Sequence, residues 1–346
     1  NMNMDTIDFK KLSEQLHSEL LRVNGWRKVV RTGSIAVYLF VFCWFMFVLF
    51  GGALVSYIGL ENYMQFTQYI IPVFIGFIVV NFVFTRCMTN FQERESEAMQ
   101  HIMSTLFPTV YFSASSQVDS RILRDSKLFS VSFSDPALAA NTYGYIQFPH
   151  GEHSLHVADI GVSYGLLNKL QYNPVLGYFV MIYRFVLRPL FASRLDSSPH
   201  NFRGMFAWCK IDKRFKGNII ILPDHLEQKI GYLAKNIQGL KKRYSARLLQ
   251  LEDQEFENYF AVYADDEVEA RMLLTPAMMR HMTALRQTFG CDIMLSFSRG
   301  TFYYAAVMPS GFLCVRPSAL NDGKLLEDIY NDISLSCKVA EELRLN

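Results

Sequence analysis

Two stretches without a charged residue dominate the hydrophobic pattern of this chain. Ser34 to Gly59 is twenty-six residues long. As a helix rising about 1.5 Å per residue it reaches roughly 39 Å, more than the thickness of a hydrocarbon layer of about 30 Å. Tyr69 to Val83 is the second stretch. It follows a loop, Leu60 to Gln68, that carries Glu61 and no basic residue. The pattern predicts a transmembrane hairpin over 34–88, with spans at 34–59 and 69–88. A polar arm of more than thirty residues precedes the first span, and the apolar run is too long for a cleaved signal peptide. Pro72 falls in the first turn of the second span, where a missing N–H costs little.

Beyond the spans the periodicity changes twice. Phe91, Met99, Ile102, Met103 and Leu106 recur at helical spacing, which predicts a stalk helix over 89–108 whose Glu93, Arg94, Glu95 and Glu97 form a solvated face. From there the pattern alternates as strands do. Strands are predicted at Leu128–Phe133, Leu155–Val162, Gly204–Asp212, Gly217–Leu222, Arg247–Leu251 and Tyr259–Tyr263. Turns are predicted at Asn141–Gly144 and Pro149–Gly151, and a basic turn at Lys213–Lys216. Asp265 or Asp266 caps a helix at Glu267–Leu274. Thr275 and Pro276 open another, which Gly290 ends. A hairpin, Ile293–Ser298 with Thr301–Met308, and a closing helix, Gly323–Leu343, complete the order. Strands and helices do not follow a regular βαβ beat, so the soluble part is α+β and mainly antiparallel. The domain order is an amphipathic arm (1–33), the hairpin (34–88), the stalk (89–108), a first lobe (109–246) with an apolar insertion at 164–199, and a second lobe (247–346).

Charge sets the orientation. Arg22, Arg27, Lys28 and Arg31 precede the first span, and Arg86 and Arg94 follow the second. By the positive-inside rule both termini face the cytoplasm. Trp26, Arg27, Lys28 and Arg31 are then candidate lipid contacts at the inner boundary. Pro174 to Phe191 is apolar apart from Arg184 and Arg188, which share a helical face. Two arginines centred in hydrocarbon are costly, which disfavours a third span. A helix lying in the interface with these arginines toward phosphates, or a buried helix of the soluble domain, are the two readings that stand. The net charge of the 346 residues is +2, too small to favour nucleic acid. The six cysteines show no C-x-x-C spacing, which fits small buried side chains better than a disulfide framework.

His150, His153 and His156, with Glu152 and Asp159 nearby, offer zinc-type ligands. On a strand His153 and His156 point to opposite faces and would converge only in a turn, so surface or turn histidines are favoured over a metal site. No phosphate-binding loop, zincin, nucleophile-elbow or kinase motif is present.

Three strings, F-R-G-M-F-A-W-C-K-I-D-K-R-F-K-G (Phe202–Gly217), Y-F-A-V-Y-A-D-D-E-V-E-A-R-M-L-L-T-P (Tyr259–Pro276) and D-I-M-L-S-F-S-R-G-T-F-Y-Y-A (Asp292–Ala305), resemble an uncharacterised bacterial domain-of-unknown-function family. The resemblance covers most of Thr89 to Asn346, although Tyr164 to Pro199 is longer and more apolar than the family pattern. It implies two transmembrane helices, an α+β cytoplasmic domain and frequent gene neighbours of the LemA family. It implies no activity and no cofactor. Asp265, Glu269 and Arg271 form either a set of local caps and pairs or an interaction surface. Together these readings predict a bacterial inner-membrane protein with a non-catalytic scaffold or assembly domain. Its partners would be membrane lipids and a protein, either a LemA-family member or a second copy. The alternative is a metal-dependent membrane enzyme built on His150–His156.

Overall fold

The structure, a computed structural model, describes residues 9–59, 70–108, 110–129, 139–150, 153–163, 176–183, 202–211, 217–223, 247–249, 253–309, 311–315 and 324–342, with a few single positions between these ranges. It begins with two long helices, α1 (Phe9–Ile58) and α2 (Ile70–Leu106), packed on each other. The predicted arm is not separate: it forms the first half of α1. Leu16, Leu20 and Val23, spaced one turn apart, are buried against the rest of the fold. The predicted stalk is the second half of α2, and Met99, Ile102, Met103 and Leu106 form its buried stripe. Where the helices cross, Gly33 lies against the Phe84 ring. A Cβ there would approach the ring within 2.8 Å.

The apolar halves of α1 and α2 carry exposed large side chains, among them Phe50 at 56%, Ile75 at 56% and Phe82 at 65%. Among the described residues no helix is long and apolar enough to cross a membrane. Two spans, as expected at 34–59 and 69–88, are therefore not seen as such. Many side chains between 38 and 77 lie outside the described set. What is seen there is a pair of long helices with apolar outer surfaces.

The remaining elements are β1 (Tyr111–Ser113), α3 (Ser120–Asp125), β2 (Ala139–His150), β3 (His153–Ser163), α4 (Leu176–Ile182), β4 (Phe202–Lys210), β5 (Ile219–Pro223), β6 (Arg247–Leu249), α5 (Gln254–Glu257), β7 (Phe260–Ala264), α6 (Glu267–Leu273), α7 (Pro276–Phe289), β8 (Ile293–Ser298), β9 (Thr301–Val307) and α8 (Lys324–Glu342). The fold is α+β, and every strand pairing among the described residues is antiparallel. Among the described residues one nine-stranded sheet runs β1-β2-β3-β4-β9-β8-β5-β7-β6. The two segments read as lobes share it. β4 pairs with β9, and β5 pairs with both β7 and β8.

Alternation along the strands divides the core into two layers. Val157, Met205, Ile221, Leu295 and Tyr304 face the bases of α1 and α2 together with α6, α7 and α8. Ile160, Phe206, Ile220, Met294 and Tyr303 face the opposite way, over Leu123 of α3 and Leu128–Phe129. The N-terminus of α1 is held by aromatic contacts. Phe9 meets Tyr330 of α8 edge-on at 5.6 Å, and Phe107 stacks on the same ring at 5.3 Å.

Two local expectations are corrected, and the strand order adds a finding of its own. Asn141–Gly144 is not a turn but lies inside β2, where a register shift between Thr142 and Gly144 absorbs its turn-forming residues as a bulge. Leu128 and Phe129 are buried bend residues rather than a strand. β4 and β5 are not neighbours, because the β8–β9 hairpin is inserted between them. The capping predictions at the end of the chain hold. Asp266 accepts from Val268 and Glu269 N–H, Thr275 accepts from Met278 N–H with Pro276 behind it, and Gly290 ends α7 in the left-handed region. The segment 224–246 after β5 lies outside the described residues. So does the part of the apolar insertion bearing Arg184 and Arg188. The part that is described, α4, lies along α1 with Val180 buried.

Gly204 shows how tightly β4 and β9 meet. A Cβ at that position would lie 2.1 Å from the Ala306 carbonyl oxygen and 2.6 Å from the Met308 nitrogen. Gly204→Ala is expected to cost about 1–3 kcal/mol through overpacking, read as a lower urea midpoint with an unchanged slope.

Candidate functional site

Asp159 stands in a run, Val157–Val162, whose alternation is otherwise apolar, and its side chain is wholly buried. A buried carboxylate stays charged only if it is paired and hydrogen-bonded; otherwise it takes up a proton. Compensation comes from the next strand and from the loop after β9. Arg203 of β4, diagonal to Asp159 in the β3–β4 register, donates through Nη1 to Oδ1 and through Nη2 to Oδ2, the latter at 3.0 Å. The backbone N–H groups of Phe312 and Leu313 donate to Oδ2 at 3.1 and 3.0 Å. Burial pushes the Asp159 carboxyl up, and the Arg203 guanidinium and these two N–H donors oppose that push. The guanidinium also sits over the Tyr143 ring at 3.7 Å.

This pair shapes the loop from Met308 to Val315. Met308 N–H donates to the Arg203 carbonyl and Gly311 N–H to that of Met308. Gly311 has a φ of +85°, and a Cβ there would lie 2.7 Å from Arg203 Nη2 and from Cys314 Sγ. Only glycine combines that conformation with that proximity.

The end of the loop meets the helix pair. Arg27 of α1 donates through Nη2 to the Val315 carbonyl and, at 3.4 Å, to Glu95 of α2. Both side chains are about three-quarters buried, with 21% and 24% exposure. Burial raises the Glu95 carboxyl above its ordinary value, against the lowering effect of Arg27. Beside this junction is a cleft of about 640 Å³, walled by Val30, Met88, Phe91, Met99 and Phe112 and fringed by Gln92, Glu95, Ser96, Gln117, Asn141 and Tyr143. The Cys291 thiol, elsewhere, is pushed up to about 12 by burial, which removes it as a nucleophile at neutral pH. The arrangement holds and couples structural elements.

The residues singled out in the sequence are placed differently. Arg27 was expected at the lipid boundary, but its guanidinium is turned inward to Glu95 and Val315. Glu95, expected on a solvated face, is its partner. Trp26 is half-buried, and Lys28 and Arg31 are exposed. His150 and His153 face each other across the β2–β3 hairpin, and their side chains lie outside the described set. His156 is engaged with aromatic neighbours. Its Nδ1 lies 2.6 Å from the Tyr145 hydroxyl and its ring stacks on Trp208 at 5.0 Å. Burial, with Lys210 nearby, lowers its pKa. Among the described residues no three His, Cys, Asp or Glu side chains are grouped to hold a metal. Cys43, Cys87, Cys209 and Cys291 are free thiols.

Asp265, Glu269 and Arg271 make local bonds. Asp265 accepts from the Asn218 backbone N–H at 3.0 Å and from its side-chain amide at 2.7 Å. Glu269 accepts from Gly217 N–H at 3.0 Å. Arg271 pairs with Glu267 one turn away. The Tyr259–Pro276 string thus fastens the start of α6 to the entry of β5. Sequence reasoning missed Arg203, Gly311 and the role of Glu95. The one available signal was a lone carboxylate at an apolar strand position, Asp159.

A family model described as a protein of unknown function, DUF3137, matches residues 200–345. That agrees with the resemblance to an uncharacterised domain family, and the match contains Arg203, Gly311 and all of the Tyr259–Pro276 string. No curated protein matches the chain. Among solved structures the chain is similar to the mycobacterial trehalose monomycolate transport factor A, TtfA. The identity is 8%, the match covers 68% of this chain and 94% of that one, and the TM-score is 0.32, too loose a likeness to carry an argument.

Arg203→Leu would leave Asp159 buried with only its two backbone donors. It is expected to cost about 3–5 kcal/mol at pH 7 in urea unfolding. Without Arg203 the folded-state pKa of Asp159 rises further above the ordinary value of 3.8. A raised carboxyl contributes stability that is present below the unfolded pKa and lost as pH rises through the folded one. The deficit of the variant should therefore shrink when the same measurement is made near pH 4.

Proposed function

We propose that this chain is an integral protein of the bacterial cytoplasmic membrane whose α+β domain, on the inner face, is a non-catalytic scaffold for a protein partner. The observation that carries this reading is the outer surface of the α1–α2 pair. From Ser34 to Ile58 and from Ile70 to Thr85 the helices contain no charged residue, and their described side chains include Leu39, Phe40, Phe50, Ile78, Val80 and Phe82, all exposed. Moving one such side chain out of water is worth roughly 1.5–3 kcal/mol. Half a dozen together match the whole stability of an ordinary domain, about 5–15 kcal/mol. A surface of that size is stable when lipid or another apolar surface covers it. Basic residues at the domain end of both helices, and Glu61 without a basic neighbour at the other end, support an inward-facing domain.

The scaffold half of the proposal is supported by the chemistry of the site. Its buried charges are spent on one another and on backbone groups, an arrangement that makes a rigid body rather than a reactive one. The implied partner is a second copy or a LemA-family protein, the latter on the strength of the sequence resemblance alone.

Two measurements test these halves separately. The chain should remain with the membrane pellet after alkaline carbonate washing, and its C-terminal half should resist protease added to the periplasmic side of intact spheroplasts. Release into the supernatant, or digestion from outside, overturns the membrane reading. Cross-linking in native membranes should then give a discrete adduct with itself or with a LemA-family protein. A chain that stays monomeric and unlinked contradicts the scaffold.

A further inference from the structure

The cleft of about 640 Å³ beside the Arg27–Glu95 junction is built from two kinds of surface. Its walls are apolar: Val30 of α1, Met88, Phe91 and Met99 of α2, and Phe112 of β1. From Met88 to Met99 the wall runs roughly 16 Å along α2, an elongated shape that suits a hydrocarbon chain. The rim carries uncharged hydrogen-bonding groups, the amides of Gln92, Gln117 and Asn141 and the hydroxyls of Ser96 and Tyr143. The β2 bulge brings two of these into place. Thr142 is buried, its Oγ1 accepting from Val118 N–H, while Asn141 and Tyr143 on either side of it are exposed. Concave, mainly apolar sites of about 300–1,000 Å³ with a few polar groups are the usual form of small-molecule sites.

Charge narrows the class of ligand. Among the described residues, Glu95 is the charged side chain in the lining, and no Lys or Arg joins it there. The guanidiniums that touch lining residues are engaged: Arg27 by Glu95 and the Val315 carbonyl, Arg203 by Asp159. A phosphate or carboxylate entering the cleft would meet a carboxylate and lack a cation to pair with, which costs affinity. A hydroxyl would meet groups that both donate and accept. Position indicates the source. Val30 lies one turn before Ser34, where the uncharged part of α1 begins, and Met88 lies within one turn after Thr85, where that of α2 ends. On the membrane reading given above, on which this inference rests, the cleft sits at the inner boundary of the bilayer.

We propose that the cleft binds one acyl chain of an uncharged lipid with a hydroxyl-bearing head, of the monoacylglycerol class, taken from the inner leaflet. The test is photolabelling of the full chain in phosphatidylcholine nanodiscs with a monoacylglycerol that carries a diazirine in its chain. Saturable label is expected on the 88–99 and 110–117 peptides, displaced by unlabelled mono-oleoylglycerol. Oleate and oleoyl lysophosphatidylglycerol should need at least about tenfold more to displace it. Ala114→Trp and, from the α2 wall, Ser96→Phe fill the space. Each should cut the saturable label about tenfold, with label on 34–58 and 70–85 unchanged and an unfolding temperature like the parent's. Saturable label that survives both substitutions, or equal displacement by the anionic lipids, overturns the proposal. So does label confined to 34–58 and 70–85, which leaves the membrane reading standing. Label at the cleft with none on those helices overturns the membrane reading instead and retains the ligand class.

Discussion

A single carboxylate in an apolar layer constrains the architecture of this protein. Asp159 sits where the alternation of β3 demands a hydrophobic residue, on the face covered by helices. Leaving it without Arg203 would cost about 3–5 kcal/mol, a large share of the roughly 5–15 kcal/mol that stabilises an ordinary domain. Meeting that demand requires Arg203 from the next strand, two consecutive backbone N–H groups from the loop after β9, and a glycine at 311 to let the loop come close. Those requirements tie together three distant parts of the chain. They also explain why the loop after β9 turns back over β3 instead of running on into solvent.

The same loop is what the long helices rest on. Its Val315 carbonyl takes Arg27, which in turn pairs with Glu95, so α1 and α2 are joined to the sheet by polar contacts on one side and by the apolar stripes of Leu16, Leu20, Met99 and Ile102 on the other. The apolar contacts supply most of the adhesion, being large and non-directional. The polar ones, being directional, set the rotation of each helix about its axis. Tyr330 and Phe107, stacked beneath Phe9, close the base of this joint.

Local signals were legible in the sequence where local chemistry decides the outcome. The caps at Asp266 and Thr275, the stop at Gly290 and the turn at Arg299–Gly300 were correctly placed, because each depends on residues within one turn of itself. The α+β class and the helical stripe of α2 followed from periodicity. Order within the sheet did not. Nothing in the composition of β4 or β5 indicates that β8 and β9 enter between them, since antiparallel neighbours are chosen by long-range packing. Asn141–Gly144 looked like a turn because its residues favour turns, yet pairing with β3 absorbed them as a bulge. Glu95 looked solvated because its neighbours Glu93, Arg94 and Glu97 are charged, and only the tertiary fold shows that this one side chain turns inward. Arg27 was misplaced for a related reason: a basic residue near an apolar run suggests phosphate, until a buried carboxylate claims it. Of the candidate site, Asp159 was named in advance only as a carboxylate near the histidines, Glu95 as a solvated charge and Arg27 as a lipid contact.

The continuity of α1 has a mechanical consequence. Fifty residues in one unbroken helix make a rod of roughly 75 Å. It is gripped near its lower third at Arg27 and buried at Leu16 to Val23, so the rod pivots close to the domain while its far end is remote. A lever with so short a load arm multiplies displacement. An ångström of sliding at the grip becomes several at the tip, and a pull at the tip returns to the grip with its force magnified.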